Sequence, residues 1–163
     1  MNADLKHGLV TDKILRVFYE VYNELGHGFL ESVYHRSLMI ALESVGLKAC
    51  SRVDVPVWFR GHQVGQFQAD VLVESCVLLE LKAVRVLDSS HRAQLLNYLR
   101  ASDIEVGLLL NFGEKPEFKR VILDNLRKSV NKSALICVHG SGLVTSQFVF
   151  SSIGSLSCTF YFL

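Results

Sequence analysis

The sequence has almost no net charge, because 17 Lys and Arg residues are balanced by 16 Asp and Glu residues over 163 positions. This balance excludes a protein held on nucleic acid or anionic lipid by its overall charge, while a local basic cleft remains compatible with it. The four cysteines are widely spaced and form no C-x-x-C pair, so the sequence indicates neither a zinc site nor a disulfide framework. We therefore expect reduced thiols.

The N-terminal region lacks an uninterrupted apolar stretch, since Asp4, Lys6, Asp12 and Lys13 occur within it. A secretory signal requires such a stretch. We therefore expect the protein to act in the cytoplasm, with no membrane partner.

Charge is also nearly absent from residues 129–163, which contain one of the 33 charged residues, Lys132. This segment is rich in Ser, Phe and Val. Serines and glycines interrupt it every few positions, so a membrane span, which needs about 20 mostly apolar residues, is the less favoured interpretation. The sequence predicts a working domain over residues 1–128, followed by a non-core or disordered extension over 129–163.

Hydrophobic periodicity predicts three helices and four strands in residues 1–128. The order α-α-β-β-β-α-β predicts an α/β fold, a mixed sheet with helices packed on it. Residues 116–127 fit either a last helix or a strand at 120–123. The first predicted helix ends at Leu25, the second spans Glu31–Ser44 and the third spans 90–101. The predicted strands are Val53–Phe59, Val64–Val73, Cys76–Ala83 and Val106–Leu110.

Two charged residues stand in the apolar strand Val77–Ala83. Glu80 and Lys82 are two positions apart, so the period of a strand points both side chains to the same face. Burying a charge is costly unless it is paired or bound to a metal. A plain Glu–Lys pair at the end of an edge strand is the structural alternative to a functional site.

A further carboxylate, Asp70, stands on the preceding strand. A two-residue loop between the strands would pair Asp70 with Leu79 and place Glu80 on the opposite face. A three-residue loop, or one bulge, would pair Asp70 with Leu78 and place both carboxylates and Lys82 on one face. Two carboxylates there would form a site for a divalent cation, with Mg²⁺ preferred because it needs few protein ligands.

Asp70 followed by Glu80-Leu-Lys82 resembles the catalytic pattern of the PD-(D/E)XK nuclease superfamily, and Gly28-Phe-Leu-Glu-Ser-Val-Tyr34 resembles the signature of the GxxExxY family within it. The resemblance covers about residues 10–125. It implies a restriction-endonuclease-like core and metal-dependent cleavage of DNA, or of RNA. It also rests on four ordered segments: Phe67-Gln-Ala-Asp70, Glu80-Leu-Lys-Ala83, His91-Arg-Ala-Gln-Leu-Leu-Asn-Tyr-Leu99 and Leu110-Asn-Phe-Gly113.

The resemblance implies a role for each of these residues. Asp70 and Glu80 would bind Mg²⁺, or Mn²⁺, together with the backbone carbonyl of Leu81. Lys82 would orient or deprotonate the attacking water and stabilise charge on the phosphate oxygens. Glu31 would be a further metal ligand or would position water, whereas its structural alternative is an acid that is favourable in the first turn of a helix.

Polar residues also recur on the helices. His91, Gln94 and Tyr98 form one stripe that can orient water or contact a nucleic-acid backbone, or that is simply a solvated helix face. Tyr34 follows Glu31 by three positions, so it can share that face and hydrogen-bond a carboxylate or phosphate, unless it is a core-edge residue.

Two functions from different classes fit these observations. The first is a metal-dependent nuclease, with Arg85 and Arg92 contributing to a local basic surface for phosphate. The second is a non-catalytic nucleic-acid or protein-binding module that retains the fold. A homodimer is compatible with the first, because cutting both strands of DNA often needs two active sites.

Overall fold

The computed structural model describes residues 7–123 and a two-residue strand at 136–137. Its secondary structure confirms the predicted order of elements. The helices are α1 (Gly8–Leu25), α2 (Glu31–Ser44) and α3 (Ser89–Ala101), and the strands are β1 (Ala49–Phe59), β2 (His62–Val73), β3 (Val77–Lys82), β4 (Val106–Asn111), β5 (Glu117–Ile122) and β6 (Ile136–Cys137).

The strands form one mixed sheet in the order β5-β4-β3-β2-β1-β6. Strands β3 and β4 are parallel, while the other neighbours are antiparallel. A parallel pair needs a crossover connection, and α3 provides it. Residues 117–122 form a strand rather than the alternative helix, because they pair antiparallel with β4. Residues 124–127 lie outside the described part of the chain.

Helices cover both faces of the sheet. On one face, Phe18 of α1 and Leu38 of α2 pack in a buried cluster with Leu81 of β3. On the other face, Leu95 of α3 packs in a second cluster with Leu78 of β3. Burial of β3 on both faces explains why its sequence is an almost continuous apolar run.

The predicted extension contributes one described feature. Strand β6 lies within residues 129–163 and pairs antiparallel with β1, with Val53 opposite Cys137. Residues 129–135 and 138–163 lie outside the described part of the chain. The expectation of reduced thiols is wrong at Cys50, which is disulfide-bonded, whereas Cys76 is free. None of the described helices is long and apolar enough to span a membrane.

The turn between β2 and β3 decides the register of the site. It has three residues, because Val73 pairs with Val77. Glu74 and Ser75 adopt positive φ angles of 49° and 54°, a conformation that costs non-glycine residues energy. Hydrogen bonds to Lys48 hold Glu74 there, since its backbone N–H donates to the Lys48 carbonyl and its carboxylate accepts from the Lys48 N–H, both at 2.8 Å.

The three-residue loop was one of the predicted alternatives, but the predicted pairing of Asp70 with Leu78 is wrong. Leu78 pairs with Leu72, and Leu79 pairs with Val71. The register is therefore shifted by two residues from the predicted one. A shift of two keeps each side chain on its face, and continuing the register places Asp70 directly opposite Glu80.

Candidate metal centre

Strands β2 and β3 stop pairing at the point where the two carboxylates meet. The last paired residues are Val71 and Leu79. Two positions beyond Leu79, the backbone N–H of Leu81 donates to Asp70 Oδ2 at 2.7 Å instead of to a strand carbonyl. Asp70 therefore takes the place of a backbone partner, which fixes its carboxylate against β3 and leaves its Oδ1 available.

The same hydrogen bond shows where the Leu81 carbonyl points. The N–H and C=O groups of one strand residue face the same neighbouring strand. Since the N–H of Leu81 faces Asp70, its carbonyl oxygen also faces the gap between β2 and β3. On the other side of β3, the carbonyl of Lys82 accepts from the N–H of Phe112 at 2.7 Å. Carboxylate and carbonyl oxygens therefore converge at the end of β3.

Glu80 is buried and incompletely partnered. Its side chain is 2% exposed, and Oε1 accepts from Lys82 Nζ at 2.5 Å. Its Oε2 is buried and accepts no hydrogen bond within the described residues. Burial and the negative charge of Asp70 raise the pKa of Glu80 to about 7, although Lys82 opposes this change. A buried oxygen without a partner is unusual in a folded protein, and a bound cation would satisfy it.

Lys82 carries the positive charge of the cluster. Burial lowers its pKa, but the hydrogen bond to Glu80 and the charges of Glu80, Glu31 and Asp70 together raise the pKa above its ordinary value. The ammonium form is thus favoured at neutral pH. Its side chain is 14% exposed, so the ammonium group remains reachable from solvent.

Glu31 occupies the first position of α2 and is exposed. Partial burial and the charge of Asp70 raise its pKa, whereas Lys82 has the opposite effect. Glu31 therefore belongs to the same electrostatic cluster. Within residues 7–123, no three His, Cys, Asp or Glu side chains come together as a metal site. Two carboxylates and one carbonyl are the ligands that the described residues offer directly.

The family model of the PD-(D/E)XK nuclease superfamily matches residues 9–121. The chain belongs to this superfamily. The superfamily is one of nucleases, and PD-(D/E)XK nucleases generally use divalent metals. The α/β architecture, a mixed sheet flanked by helices, is consistent with the restriction-endonuclease-like fold of the superfamily.

A solved structure titled "Crystal structure of SSO0001" is also similar to the chain, with 19% identity and a TM-score of 0.46. The match covers 57% of this chain and 50% of that structure, so the chain spans about half the length of the structure. No curated protein matches the chain.

The predicted polar stripe of α3 includes Gln94 and Tyr98. Gln94 Nε2 donates to the hydroxyl of Tyr98 at 2.6 Å. Tyr98 is 5% exposed, and burial raises its pKa, with smaller contributions from Glu80 and Asp70. The stripe is therefore not a solvated helix face at Tyr98. Tyr98 is electrostatically coupled to the two carboxylates.

His91 has a structural role at the start of α3. Asp88 caps the helix, because its Oδ1 accepts from the N–H groups of Ser90 and His91. The hydrogen bond from the Ser90 hydroxyl, together with these two, lowers the pKa of Asp88. The Asp88 N–H donates in return to Nδ1 of His91 at 3.1 Å. A neutral His91 in this arrangement carries its proton on Nε2.

Tyr34 makes a different contact from the expected one. It is fully buried, its hydroxyl donates to the carbonyl of Gly26 at 2.8 Å, and the hydroxyl accepts from the N–H of Phe29 at 3.2 Å. The expected hydrogen bond to a carboxylate or phosphate is therefore absent. Tyr34 instead holds the loop that leads to Glu31, and its ring stacks on Phe112 with centroids 4.4 Å apart.

His35 was missed by the sequence analysis. Its Nε2 lies 3.2 Å from the Asp70 carbonyl oxygen and 3.2 Å from Ser51 Oγ. Because a carbonyl can only accept, Nε2 carries the proton in this contact. The spacing of four residues from Glu31 was the available signal, since it places both side chains on one face of α2.

Arg85 and Arg92 are both exposed. Arg85 lies in the connection between β3 and α3, and Arg92 lies in the first turn of α3. These positions follow Lys82 closely in the chain. Their contact with a phosphate backbone stays a prediction.

Proposed function

We propose that the protein is a metal-dependent nuclease of the GxxExxY family that hydrolyses phosphodiester bonds in DNA. The observation that carries the proposal is the buried Oε2 of Glu80, which has no partner among the described residues and lies beside the fixed carboxylate of Asp70. The family assignment is supported by Gly28, Glu31 and Tyr34, which occur at the spacing of the family signature.

The proposed metal ligands are Asp70 Oδ1, Glu80 Oε2 and the backbone carbonyl of Leu81. This all-oxygen set suits Mg²⁺, which retains several waters when few protein ligands are present, and it also suits Mn²⁺. Glu31 and Gln94 would act through those waters. Two observations support a position of both residues at the cleft. Glu31 is electrostatically coupled to Lys82, and Gln94 donates a hydrogen bond to Tyr98.

When bound, the divalent ion supplies a more acidic water and neutralises charge on the phosphate. The Lys82 ammonium group is held by Glu80 and remains accessible, so it can orient the attacking water and hydrogen-bond a phosphate oxygen. Arg85 and Arg92 would bind neighbouring phosphates.

We assign the working domain to residues 1–128 and a low-charge, non-core extension to 129–163. All of the proposed site residues lie in the first of these. We also propose action in the cytoplasm, and a homodimer for cleavage of both strands.

The test is a cleavage assay with Mg²⁺ or Mn²⁺ on single-stranded, duplex and branched DNA and on RNA. We expect wild-type protein to cut DNA, and Asp70→Asn and Lys82→Ala each to lower the rate by at least about 100-fold. Glu117→Gln is the matched control, since Glu117 pairs with Lys119 on the surface at 2.7 Å. It should cut at the wild-type rate.

Equal cleavage by all of these proteins would indicate a contaminant and contradict the proposal. Retained DNA binding without any cleavage would favour the non-catalytic binding module instead.

A further inference from the structure

A cavity of about 400 Å³ opens between α3 and β2. Its volume is within the range of small-molecule pockets in proteins. One wall is Phe67 of β2, three residues before Asp70. The remaining lining residues all belong to α3: Ser90, Ala93, Gln94, Asn97 and Tyr98.

The cavity has flat apolar walls. The ring centroids of Phe67 and Tyr98 are 5.5 Å apart and their planes are inclined at 47°. Phe67 is 38% exposed although it is a large apolar side chain, so one part of its ring is free to pack against a ligand. Ala93 presents no more than a methyl group. Such walls suit a planar aromatic ligand.

The polar groups at the cavity present both a donor and an acceptor. Gln94 uses its amide nitrogen on Tyr98, which leaves its Oε1 as an acceptor. Asn97 Oδ1 accepts from Arg100 at 3.4 Å, which leaves Asn97 Nδ2 as a donor. Nucleobase edges carry matching donors and acceptors, and side-chain amides are among the groups that recognise them.

Two of the lining residues relate the cavity to the proposed catalytic cluster. Tyr98 forms part of its wall and is coupled electrostatically to Glu80 and Asp70, and Phe67 lies on the same strand as Asp70. We infer that this cavity holds an unpaired nucleobase adjacent to the phosphate that is cleaved, so that the substrate is single-stranded DNA or a single-stranded end. A base within a duplex is stacked between its neighbours and would have to leave the stack to enter. The inference rests on the proposed nuclease function.

The test measures binding of a fluorescent single-stranded oligonucleotide and of the corresponding duplex, with Ca²⁺ as the oxygen-ligated cation and a gel to verify that the DNA stays intact. Phe67→Ala and Phe67→Leu remove the ring, the second while keeping most of the apolar volume. Phe67→Trp keeps a stacking surface. Phe59→Ala is the matched control, because Phe59 is an exposed aromatic residue of the same hairpin outside the cavity.

Loss of one stacked base should weaken single-strand binding by about 5- to 100-fold in Phe67→Ala and Phe67→Leu. Phe67→Trp and Phe59→Ala should bind like wild type, and duplex binding should be unchanged in all four. A thermal unfolding curve for each variant verifies folding, and Phe67→Leu decides the result if Phe67→Ala is unstable.

Wild-type single-strand affinity in Phe67→Leu, equal loss for single strand and duplex, or no single-strand binding by wild type would each overturn the inference. A Phe67 variant that no longer forms a dimer in sedimentation, but still binds single-stranded DNA, would assign the cavity to a second copy of the chain. That result would also overturn the inference. Phe67-dependent binding without cleavage would support the cavity and contradict only the nuclease proposal. Cleavage that depends on Lys82 but not on Phe67 would support the nuclease proposal and contradict only the cavity inference.

Discussion

At the scale of single residues, the sequence is most informative where charged residues interrupt an apolar strand. Glu80 and Lys82 in an apolar strand require a partner or a cation, and the period of two is enough to place both on one face. The structure contains their ion pair, but β3 is an internal strand of the sheet and not the edge strand of the structural alternative. The contacts of Tyr34 and His35 could not be predicted, because both bind backbone atoms that only the tertiary fold brings near them.

The raised pKa of Glu80 predicts how stability depends on pH. The folded protein holds a proton on Glu80 up to about pH 7, whereas the unfolded chain releases it near the ordinary value of 4.5. The folded state therefore binds more protons between these values, and the free energy of unfolding falls as pH rises through that window. Without metal, Glu80 should cost about 1–3 kcal/mol of stability between about pH 5 and pH 8.

Urea denaturation in the presence of a chelator measures this effect. The Glu80→Gln variant should show no decrease in the free energy of unfolding as pH rises through this window, whereas the Glu117→Gln variant should show the same decrease as wild type. An identical pH dependence in wild type and Glu80→Gln would show that Glu80 does not titrate in this window.

The same group predicts the pH dependence of metal binding. Because Glu80 must lose its proton to bind a cation, affinity for Mn²⁺ should fall by about tenfold per pH unit below about pH 7 and level off above it. Calorimetry in buffers of different ionisation enthalpy measures the proton released per metal. Release near one proton at about pH 6 and near zero at about pH 8 is expected, and no release at either pH would be inconsistent with Glu80 as a ligand.

At the scale of elements, the length of the β2–β3 loop sets the face on which the carboxylates meet. Its odd length was among the predicted alternatives, because only that length brings Asp70 and Glu80 together. The direction of the shift in the β2–β3 pairing register was not predictable. It depends on Glu74, whose left-handed conformation is stabilised by two hydrogen bonds to Lys48, a residue 26 positions away.

The end of β4 supports the end of β3 in a similar way. Asn111 is 1% exposed, and its amide both accepts from the N–H of Val84 at 3.0 Å and donates to the Val84 carbonyl at 2.9 Å. A Cβ atom at Gly113 would overlap that carbonyl oxygen. The segment Leu110–Gly113 thus secures the backbone that follows Lys82.

Gly113→Ala should therefore destabilise the fold by about 2 kcal/mol or more through overpacking. Gly65→Ala is the matched control, because a Cβ there would meet only Val57 at an ordinary 3.8 Å. Thermal denaturation compares the two variants. Equal melting temperatures for Gly113→Ala and wild type would show that the close approach to Val84 is not required.

At the scale of the whole molecule, the near-zero net charge is less restrictive than the sequence suggested. Glu31, Asp70 and Glu80 account for three of the 16 acids and form one cluster. A bound divalent ion would offset their charge, so metal occupancy matters more for phosphate binding than the net charge of the chain. The helix order and mixed sheet could be predicted from periodicity, whereas pairing of β6 with β1 could not, because two residues carry no periodic signal.

Both described hydrophobic clusters lie within residues 10–123. Truncation after residue 128 should therefore leave a domain that unfolds cooperatively and binds Mn²⁺ with wild-type affinity, at the expense of the β1–β6 pairing and of the Cys50 disulfide, because Cys76 is free and the other two cysteines lie beyond residue 128. Circular dichroism on heating and a metal titration measure both properties. A truncated chain without a cooperative transition would show that residues 129–163 belong to the folding unit.

The most direct test of the metal centre is a crystal structure of the wild-type protein grown with Mn²⁺ and recorded at a wavelength that gives anomalous signal from manganese. The account predicts one anomalous peak bound by Asp70, Glu80 Oε2 and the carbonyl of Leu81, and loss of that peak in Asp70→Asn. A wild-type structure with no peak at the end of β3, or with Mn²⁺ bound only elsewhere, would contradict it.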